Sequence, residues 1–389
     1  MEKIMLYFIM ISLLFPRGFA ENSSAIRIIY LIWLALAVVL MVMQIFYYLI
    51  LKKMKLDKFI YMVATYYIVF WGITIYNKGE IGEGVQKLFV APIVIVFLLV
   101  YLKVKPQKVL KVIENTLIVL FLLNIVFYPV FKYILDSYHI YFLGHVQMYS
   151  QISVLAILVA YLNQYYLGKN KKSCLLIFLS LITLLLSRTA VSYICIAIYL
   201  ILKVLIALKA DRIVRCKPSF YFALFVFLNL FLLWYTFKLR NISTMNNLFS
   251  LSSRTFIWTD AIYLAKEKLL FGYGAYGVLI KTFWSSWSVS AGGFNYAHNE
   301  LIQHLLDGGV VLLILFLILF FLSLAEASKI KNKYLYKFIM ITVLMFIAIM
   351  LIESVTEYYI FFVYLAIFLR IPKINNKIIK DRSRYGLIS

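Results

Sequence analysis

The sequence predicts an all-α fold, that of a polytopic integral membrane protein. Of its 389 residues, 65% are hydrophobic, and the mean hydropathy is +0.94, a composition that no soluble domain of this size tolerates. Runs such as 31–51 and 310–322 are apolar around their whole circumference, so they lack the polar face of a soluble helix. Only helices and closed barrels satisfy the backbone in lipid, and these runs do not alternate as barrel strands do.

About twelve transmembrane helices are predicted along the chain. A bilayer core is about 30 Å thick and takes ~20 residues of helix to cross. The predicted spans cover residues 4–16, 25–51, 58–76, 86–102, 112–131, 146–167, 173–187, 189–208, 219–238, 298–323, 334–352 and 357–371. Because no soluble domain is evident, residues 1–389 are predicted to form a single polytopic domain, with one long loop at 239–297 between spans nine and ten.

The placement of charge predicts the topology. A net charge of +23 would suggest nucleic acid as the partner of a soluble protein, but here most cations lie in one alternating set of short connections. By the positive-inside rule, both termini are cytoplasmic and the 239–297 loop is extracytoplasmic. No nucleic-acid partner is therefore expected. Arg17 directly follows the first apolar run, which argues against a cleaved signal peptide, so the first helix is predicted to be retained.

Neither a disulfide nor a metal centre is predicted. The three cysteines, Cys174, Cys195 and Cys216, lie within spans or on the cytoplasmic side and form no Cys-x-x-Cys pair. Carboxylates outside the membrane are sparse, and none forms an Asp-x-Asp pair, so a divalent-metal site is not indicated. No cofactor is expected, and arginines would have to neutralise any phosphate at the outer face.

Two arginines are candidate anion-binding residues. Arg188 follows span seven, where a guanidinium either grips a phosphate through bidentate hydrogen bonds or snorkels to the interface and caps the preceding helix. Arg254 follows Ser253 at a predicted helix N-terminus, where backbone N–H groups and the helix dipole favour anions, so Ser253 is a candidate substrate-binding residue. The alternative for Arg254 is a solvated arginine in a loop.

His298 is the candidate general base. It lies where the chain re-enters the membrane as Ala297-His298-Asn299-Glu300. Histidine is the usual base near neutral pH, and a neighbouring carboxylate can orient it. Asn299 and Glu300 are candidate substrate-binding residues beside it. The alternative for His298 is an interfacial histidine that hydrogen-bonds lipid headgroups.

Aromatic residues and glycines mark the rest of the loop. The first helix of the loop is predicted to lie along the membrane surface with Trp258 near the headgroups, and Trp258 is also a candidate substrate-binding residue. Trp284 and Trp287 suit the apolar faces of sugar rings, or anchor the loop at the interface. Gly272 and Gly274 permit tight turns or a close backbone approach and are further candidate substrate-binding residues.

Four motifs in this order resemble the O-antigen ligase and polysaccharide polymerase superfamily of bacterial inner-membrane proteins. They are Leu186-Ser187-Arg188-Thr189, Ser253-Arg254-Thr255-Phe256-Ile257-Trp258, Leu270-Phe271-Gly272-Tyr273-Gly274, and Ala297-His298-Asn299-Glu300-Leu301 running through Asp307-Gly308-Gly309-Val310. The resemblance covers 187–316 and includes the position of the long loop. The approach to the last motif, 290–296, departs from the glycine- or proline-rich pattern often found in the family, which leaves the acceptor side open.

The resemblance implies an all-helical, metal-independent membrane glycosyltransferase of the bacterial cytoplasmic membrane, without a cofactor. Its donor would be a glycan on undecaprenyl diphosphate in the outer leaflet. Arg188 and Arg254 would bind the diphosphate and stabilise it as the leaving group. His298 would take the proton of the acceptor hydroxyl, with inversion at the anomeric carbon. Membrane lipid and a chain-length regulator protein are the other candidate partners.

Three functions remain open, and a polymerase is favoured. A polymerase would join lipid-linked repeat units of O-antigen, capsule or exopolysaccharide, and Arg-Thr-x-x-Trp followed by Gly-Tyr-Gly resembles that branch. An O-antigen ligase would transfer the finished chain to the lipid A-core of lipopolysaccharide. A flippase for lipid-linked oligosaccharide would need paired halves and broken helices near the bilayer midplane, and neither is evident in the sequence.

Overall fold

Long helices account for most of the chain, as predicted. The computed structural model describes residues 2–135, 139–168, 170–240, 254–281, 294 and 296–384. The candidate residue Ser253 and the loop tryptophans Trp284 and Trp287 lie outside the described residues.

Seven helices form the first part of the chain. They are α1 (Glu2–Leu13), α2 (Arg17–Asn22), α3 (Ser24–Phe46), α4 (Lys58–Tyr76), α5 (Ile81–Val85), α6 (Ala91–Val104) and α7 (Pro106–Pro129). π-Helical turns follow α3 at Tyr47–Leu51, precede α6 at Gln86–Val90 and follow α7 at Val130–Ile134. Pro106 begins α7 because its fixed φ suits the first turn, where its missing N–H would have no partner in the helix.

A short hairpin and eight helices make up the rest of the described chain. Strand β1 (Ile140–Tyr141) pairs with the antiparallel strand β2 (Gly144–His145). The helices are α8 (Val146–Leu167), α9 (Lys171–Ser187), α10 (Ala190–Ala207), α11 (Pro218–Arg240), α12 (Arg254–Glu267), α13 (Glu300–Ala327), α14 (Lys333–Ile352) and α15 (Tyr359–Arg384). 3₁₀ turns lie at Arg212–Arg215 and Val355–Glu357.

The predicted spans coincide with helices, which confirms the all-α membrane fold. Within the described part of the chain, nine helices are long and apolar enough to cross a bilayer. The other three predicted spans fall on α1, with 12 residues, on α9, with 17 residues, and on α15, whose second half is charged.

Helix α8 forms the centre of the bundle and is buried along nearly all of its length. It packs against α9, α14 and α15. By contrast, α3 and α11 turn most of their apolar residues outward, as helices that face lipid do. The polar residues of α8, including Gln147 and Asn163, therefore face other helices and not the bilayer.

Helix α13 is broken at two consecutive glycines. Gly308 has φ −150°, and Gly309 has φ +63° and ψ −160°, so neither continues the helix. Glycine takes the left-handed conformation at little cost, which makes a glycine pair a natural place for such a break. A broken helix, which was not evident in the sequence, is thus present.

A segment of the long loop fills the break. Val310 N donates to Leu269 O at 2.8 Å, and Tyr273 N donates to Leu306 O at 2.7 Å. A Cβ on Gly272 would lie 2.4 Å from Leu306 O, so only glycine fits there, at φ +60°. The backbone groups that the break frees from the helix ladder are thereby paired again.

Gly274 joins the same segment to helix α4. Its N–H donates to Asp307 O at 2.9 Å. A Cβ at this position, where φ is +84°, would lie 2.8 Å from Thr74 Cα. The predicted close backbone approach is therefore confirmed at Gly272 and Gly274, and their role in substrate binding stays a prediction.

Candidate active site

Three side chains from separate parts of the chain meet at the end of α14. Arg254 Nη2 donates to Glu353 Oε1 at 2.6 Å, and Glu353 Oε2 lies 3.2 Å from His298 Nδ1. Arg254 is the first residue of α12, and Glu353 caps the C-terminus of α14. His298 directly precedes the residue that caps the N-terminus of α13. The structure therefore brings together two of the three predicted catalytic residues around a carboxylate that the sequence analysis did not single out.

The contact with Glu353 determines which nitrogen of His298 carries hydrogen. A carboxylate paired with an arginine only accepts hydrogen bonds, so Nδ1 must be the donor. In the neutral ring, Nε2 then keeps the lone pair of a base. Gln147 Nε2 lies 3.3 Å from the same Nδ1, and because an amide nitrogen only donates, rotation of the Gln147 amide is needed to present its oxygen as a second acceptor for Nδ1–H. With His298 only 7% exposed, little water competes for these contacts.

The backbone of His298 is held in an unusual conformation. Its φ is +51°, in the left-handed region that residues with a side chain rarely adopt. Trp258 Nε1 donates to His298 O at 3.3 Å, and Ala297 N donates to Gln303 Oε1 at 2.7 Å. Trp258 is completely buried, so its predicted position near the headgroups is wrong, and its role in substrate binding stays a prediction.

Asn299 caps helix α13. Its Oδ1 accepts from Ile302 N at 3.0 Å, and its Nδ2 donates to Leu351 O and to Asn229 Oδ1, both at 2.9 Å. The residue is completely buried. Asn299 therefore ties the start of α13 to α11 and α14, and its role as a substrate-binding residue stays a prediction.

Glu300 holds the turn after α14. Its Oε2 accepts from Val355 N at 2.6 Å, and its Oε1 lies 3.3 Å from His304 Nδ1. The side chain is completely buried. The carboxylate beside His298 is therefore Glu353 and not the adjacent Glu300, whose role in substrate binding stays a prediction.

Arg188 is not a member of the hydrogen-bonded Arg254–Glu353–His298 cluster. It caps the C-terminus of α9 with φ +53° and is exposed to solvent. Its charge acts on Tyr141 in the hairpin that leads into α8. Between described residues, no hydrogen bond or ion pair joins Arg188 to Arg254 or His298. Its role as a catalytic residue stays a prediction.

His145 lies beside the cluster as a neutral histidine. Burial lowers the pKa of His145 to about 4, against the charge of Glu353, which raises it, and the charge of Arg254 lowers it further. Gln147 N donates to His145 Nδ1 at 3.4 Å, so the hydrogen of the neutral ring lies on Nε2. No role for His145 was predicted from the sequence.

A second buried cluster of charges lies at the break in α13. Lys87 Nζ donates to Asp307 Oδ2 at 2.6 Å and to Glu357 Oε1 at 2.5 Å. Tyr276 OH donates to the other oxygen of Glu357, and Gln303 Nε2 donates to Asp307 Oδ1 at 3.1 Å. A buried cation requires such partners. The cluster ties the start of the fourth predicted span, 86–102, to the break and to the turn after α14.

Four members of the two clusters were not predicted from the sequence, namely Glu353, Lys87, Asp307 and Glu357. Ionisable residues within or at the ends of membrane spans are costly, and for that reason they mark functional sites by default. Glu353 and Glu357, four residues apart after an apolar span, carried that signal. The sequence does not show which residues pair with these two glutamates.

The fold and the site define a multi-pass membrane protein with a histidine, a carboxylate and an arginine joined at one end of its helix bundle. Residues 175–317 match the family model described as O-antigen ligase, which confirms the predicted resemblance to the O-antigen ligase and polymerase superfamily. Members of that family are membrane glycosyltransferase-like enzymes that act on lipid-linked polysaccharides. The matched segment contains Arg188, Arg254 and His298. No curated protein matches the chain.

Proposed function

We propose that the protein is a polysaccharide polymerase that joins undecaprenyl-diphosphate-linked repeat units at the outer face of the bacterial cytoplasmic membrane. The reaction is metal-independent glycosyl transfer with inversion. Both termini lie in the cytoplasm, and the 239–297 loop lies outside. The observation that carries the proposal is the bridge that Glu353 makes between Arg254 and His298. Both bridged residues lie within the segment 175–317 that matches a family of lipid-linked polysaccharide enzymes.

His298 is the base in the proposed reaction. The acceptor hydroxyl of one lipid-linked unit gives its proton to His298 Nε2 while its oxygen bonds to the anomeric carbon of a second unit. The bond from that carbon to the diphosphate oxygen breaks, and undecaprenyl diphosphate leaves with the bonding electrons. Glu353 holds Nδ1 of the ring and stabilises the imidazolium that forms, which supports a rate gain of about 10²–10⁴-fold.

Arg254 stabilises the leaving diphosphate. One of its nitrogens donates to Glu353, and a guanidinium has five N–H donors in a planar fork, so donors remain for phosphate oxygens. In comparable sites, loss of one donor to a developing negative charge costs about 2.7–4 kcal/mol. Arg188 approaches the same diphosphate from the end of α9. Its exposed side chain has no ion pair with any described residue, which leaves the guanidinium available.

An O-antigen ligase is the second candidate, because the matching family model carries that description. The same three residues would perform its chemistry, with lipid A-core in place of the second lipid-linked unit. The two functions differ in the acceptor, and of the segment 290–296, on which the acceptor side was left open, only residues 294 and 296 lie within the described part of the chain.

A flippase is supported less well. The break in α13 is the kind of feature that transport proteins use. In this chain, however, backbone from the long loop fills the break through hydrogen bonds to Leu306 and Asp307. Lys87, the cation at the break, is bonded to two carboxylates. Neither arrangement resembles an open path across the bilayer.

A glycan gel of a strain without the gene, complemented with wild-type, His298→Ala or His139→Ala genes, tests the proposal. Without the gene, a polymerase leaves single repeat units on their normal anchor, whereas a ligase leaves long chains on undecaprenyl diphosphate. His298→Ala should behave as the deletion, and His139→Ala, an exposed histidine of the nearby hairpin, should restore long chains. Full rescue by His298→Ala would exclude it as the base.

A further variant in the same gel addresses Arg188. Lysine keeps the positive charge but is a point charge that cannot form the bidentate fork to phosphate. Arg188→Lys should therefore shorten or remove the polymer. Wild-type chain lengths in this variant would place Arg188 outside the machinery and leave it as a residue that caps α9.

A further inference from the structure

A basic cavity of about 720 Å³ lies between the C-terminal end of α13 and the N-terminal end of α14, at the opposite end of these helices from His298. Four cations line it, namely Arg215, Lys217, Lys333 and Lys337, together with the apolar residues Phe321 and Ala325. The length of α14, 20 residues, separates this cavity from Glu353 by about 30 Å at 1.5 Å per residue. The basic cavity is therefore distinct from the candidate active site.

The basic cavity has an excess of positive charge. Arg215 Nη2 lies 2.5 Å from Asp211 Oδ1, and Lys337 pairs with the other oxygen of the same carboxylate. The hydrogen bond from Lys337 lowers the pKa of Asp211, so the carboxylate is ionised at neutral pH. Lys217 and Lys333 are exposed and form no ion pair with any residue that the structure describes. One carboxylate thus serves a cavity with four cations.

Two helix N-termini add to this positive potential. Helix α11 begins at Pro218 and α14 begins at Lys333, and both residues line the basic cavity. The N-terminal end of a helix carries a partial positive charge, which attracts anions and disfavours lysine in the first turn. Lys333 is in that unfavourable position, and an anion held between it and Lys217 would offset its repulsion from the helix N-terminus.

The walls of the basic cavity indicate that this anion is attached to an apolar body. Phe321 is 38% exposed and packs edge-on against Phe222 of α11, with ring centroids 5.3 Å apart. Helix α11 turns most of its residues outward, toward lipid. A free phosphate would use the cations and leave this apolar wall without a partner. A phospholipid would fill both.

The charge of the surroundings favours lipid over the chain's own C-terminal segment. That segment carries Lys377, Lys380 and Arg382 with a single acidic residue, Asp381, so the cations of the basic cavity repel it. The cavity lies on the face where the positive-inside rule places the cytoplasm, and anionic lipids are typical of the cytoplasmic leaflet. We propose that the basic cavity binds the phosphate headgroup of an anionic phospholipid of the phosphatidylglycerol class.

Native mass spectrometry of the full-length protein in detergent tests the proposal. The protein is titrated with dioleoylphosphatidylglycerol or with dioleoylphosphatidylcholine, and the bound lipid is counted. A lysine close to an anionic lipid contributes about fivefold in affinity, so the double variant Lys217→Gln/Lys333→Gln should bind phosphatidylglycerol about 30-fold more weakly than the wild type. The matched control is Lys209→Gln/Lys331→Gln, which removes two exposed lysines outside the cavity lining and should bind as the wild type does.

Four results would overturn the proposal. They are equal affinity of the two double variants for phosphatidylglycerol, equal affinity of the wild type for both lipids, release of bound lipid by millimolar inorganic phosphate, and a second copy of the chain bound in place of lipid. Should the double variant lose its fold in a thermal unfolding scan, Lys333→Gln alone replaces it, with an expected loss of about fivefold.

Discussion

Replacement of Glu353 by glutamine tests how His298 is oriented. In the variant, the amide oxygen still accepts from Arg254, and the amide nitrogen lies where Oε2 was, 3.2 Å from His298 Nδ1. An amide nitrogen donates and does not accept. His298 must then present its lone pair at Nδ1 and carry hydrogen at Nε2, which is the wrong tautomer for a base at Nε2.

The magnitude follows from this tautomer change. When the carboxylate partner of the catalytic histidine in a serine protease becomes an amide, the wrong tautomer lowers kcat about 10⁴-fold. Glu353→Gln should lower kcat by about 10³–10⁴-fold, which corresponds to about 4–5.5 kcal/mol of transition-state stabilisation. KM for the donor should not rise, because loss of the negative charge leaves Arg254 freer to bind the diphosphate.

The assay follows chain growth by purified protein from undecaprenyl-diphosphate-linked repeat units. The matched control is Glu267→Gln, which changes an exposed glutamate at the end of α12 that accepts from Tyr273 OH at 3.0 Å. Its rate should stay within about twofold of wild type, as expected for a surface change. A Glu353→Gln protein that unfolds at the wild-type temperature and keeps the wild-type kcat would refute the orientation of His298 by Glu353.

Three further predictions concern stability, each measured by unfolding in detergent. Gly272→Ala should lower the free energy of unfolding by about 3–4 kcal/mol, because the left-handed backbone is strained by a side chain and two backbone hydrogen bonds at the break are lost. The control is Gly82→Ala, where a Cβ meets nothing within 4 Å, and it should be neutral or slightly stabilising. Equal effects of the two substitutions would contradict the packing of the loop segment into the break. Lys87→Met leaves two carboxylates buried without their cation and should lower the free energy of unfolding by about 3–5 kcal/mol. An unchanged unfolding temperature would show that the cluster around Lys87 does not stabilise the break in α13. Burial opposes ionisation of Asp57, but the hydrogen bond and charge of Arg370 outweigh it and lower the pKa of Asp57 to about 2, from an ordinary 3.8. Because the folded pKa is the lower one, this pair stabilises the protein above pH 4 and the benefit is lost as the pH falls toward 2, so Asp57→Asn should weaken the acid dependence of unfolding, and an unaltered acid profile would contradict the assignment.

The fold was predictable from composition because lipid leaves the chain few alternatives. A segment of apolar residues in a bilayer must satisfy every backbone group within itself, so the positions of the helices follow from hydropathy. The break in α13 does not follow in the same way. Gly308 and Gly309 permit it, but it forms because Leu269 and Tyr273 supply backbone partners from a loop that lies more than thirty residues earlier in the chain.

The candidate site was predictable only in part. Arg254 and His298 stood out through motifs, whereas Glu353 lies 99 residues after Arg254 and 55 residues after His298. Only the packing of α14 against the loop and α13 brings the three together. Trp258 was misplaced for a related reason. Surface-helix reasoning places an aromatic residue at the headgroups, whereas in the structure α12 folds against α13 and buries the ring.

The central claim is that Arg254 and His298 perform glycosyl transfer between lipid-linked units, and product analysis tests it most directly. Purified protein in vesicles that contain no other protein is given an undecaprenyl-diphosphate-linked repeat unit, and the products are identified by mass spectrometry and by the configuration of the new linkage. The account predicts dimers and longer chains with inverted linkages, one undecaprenyl diphosphate released for each bond formed, and no product with His298→Ala. Repeat units that cross the bilayer unchanged, or new linkages with retained configuration, would contradict it.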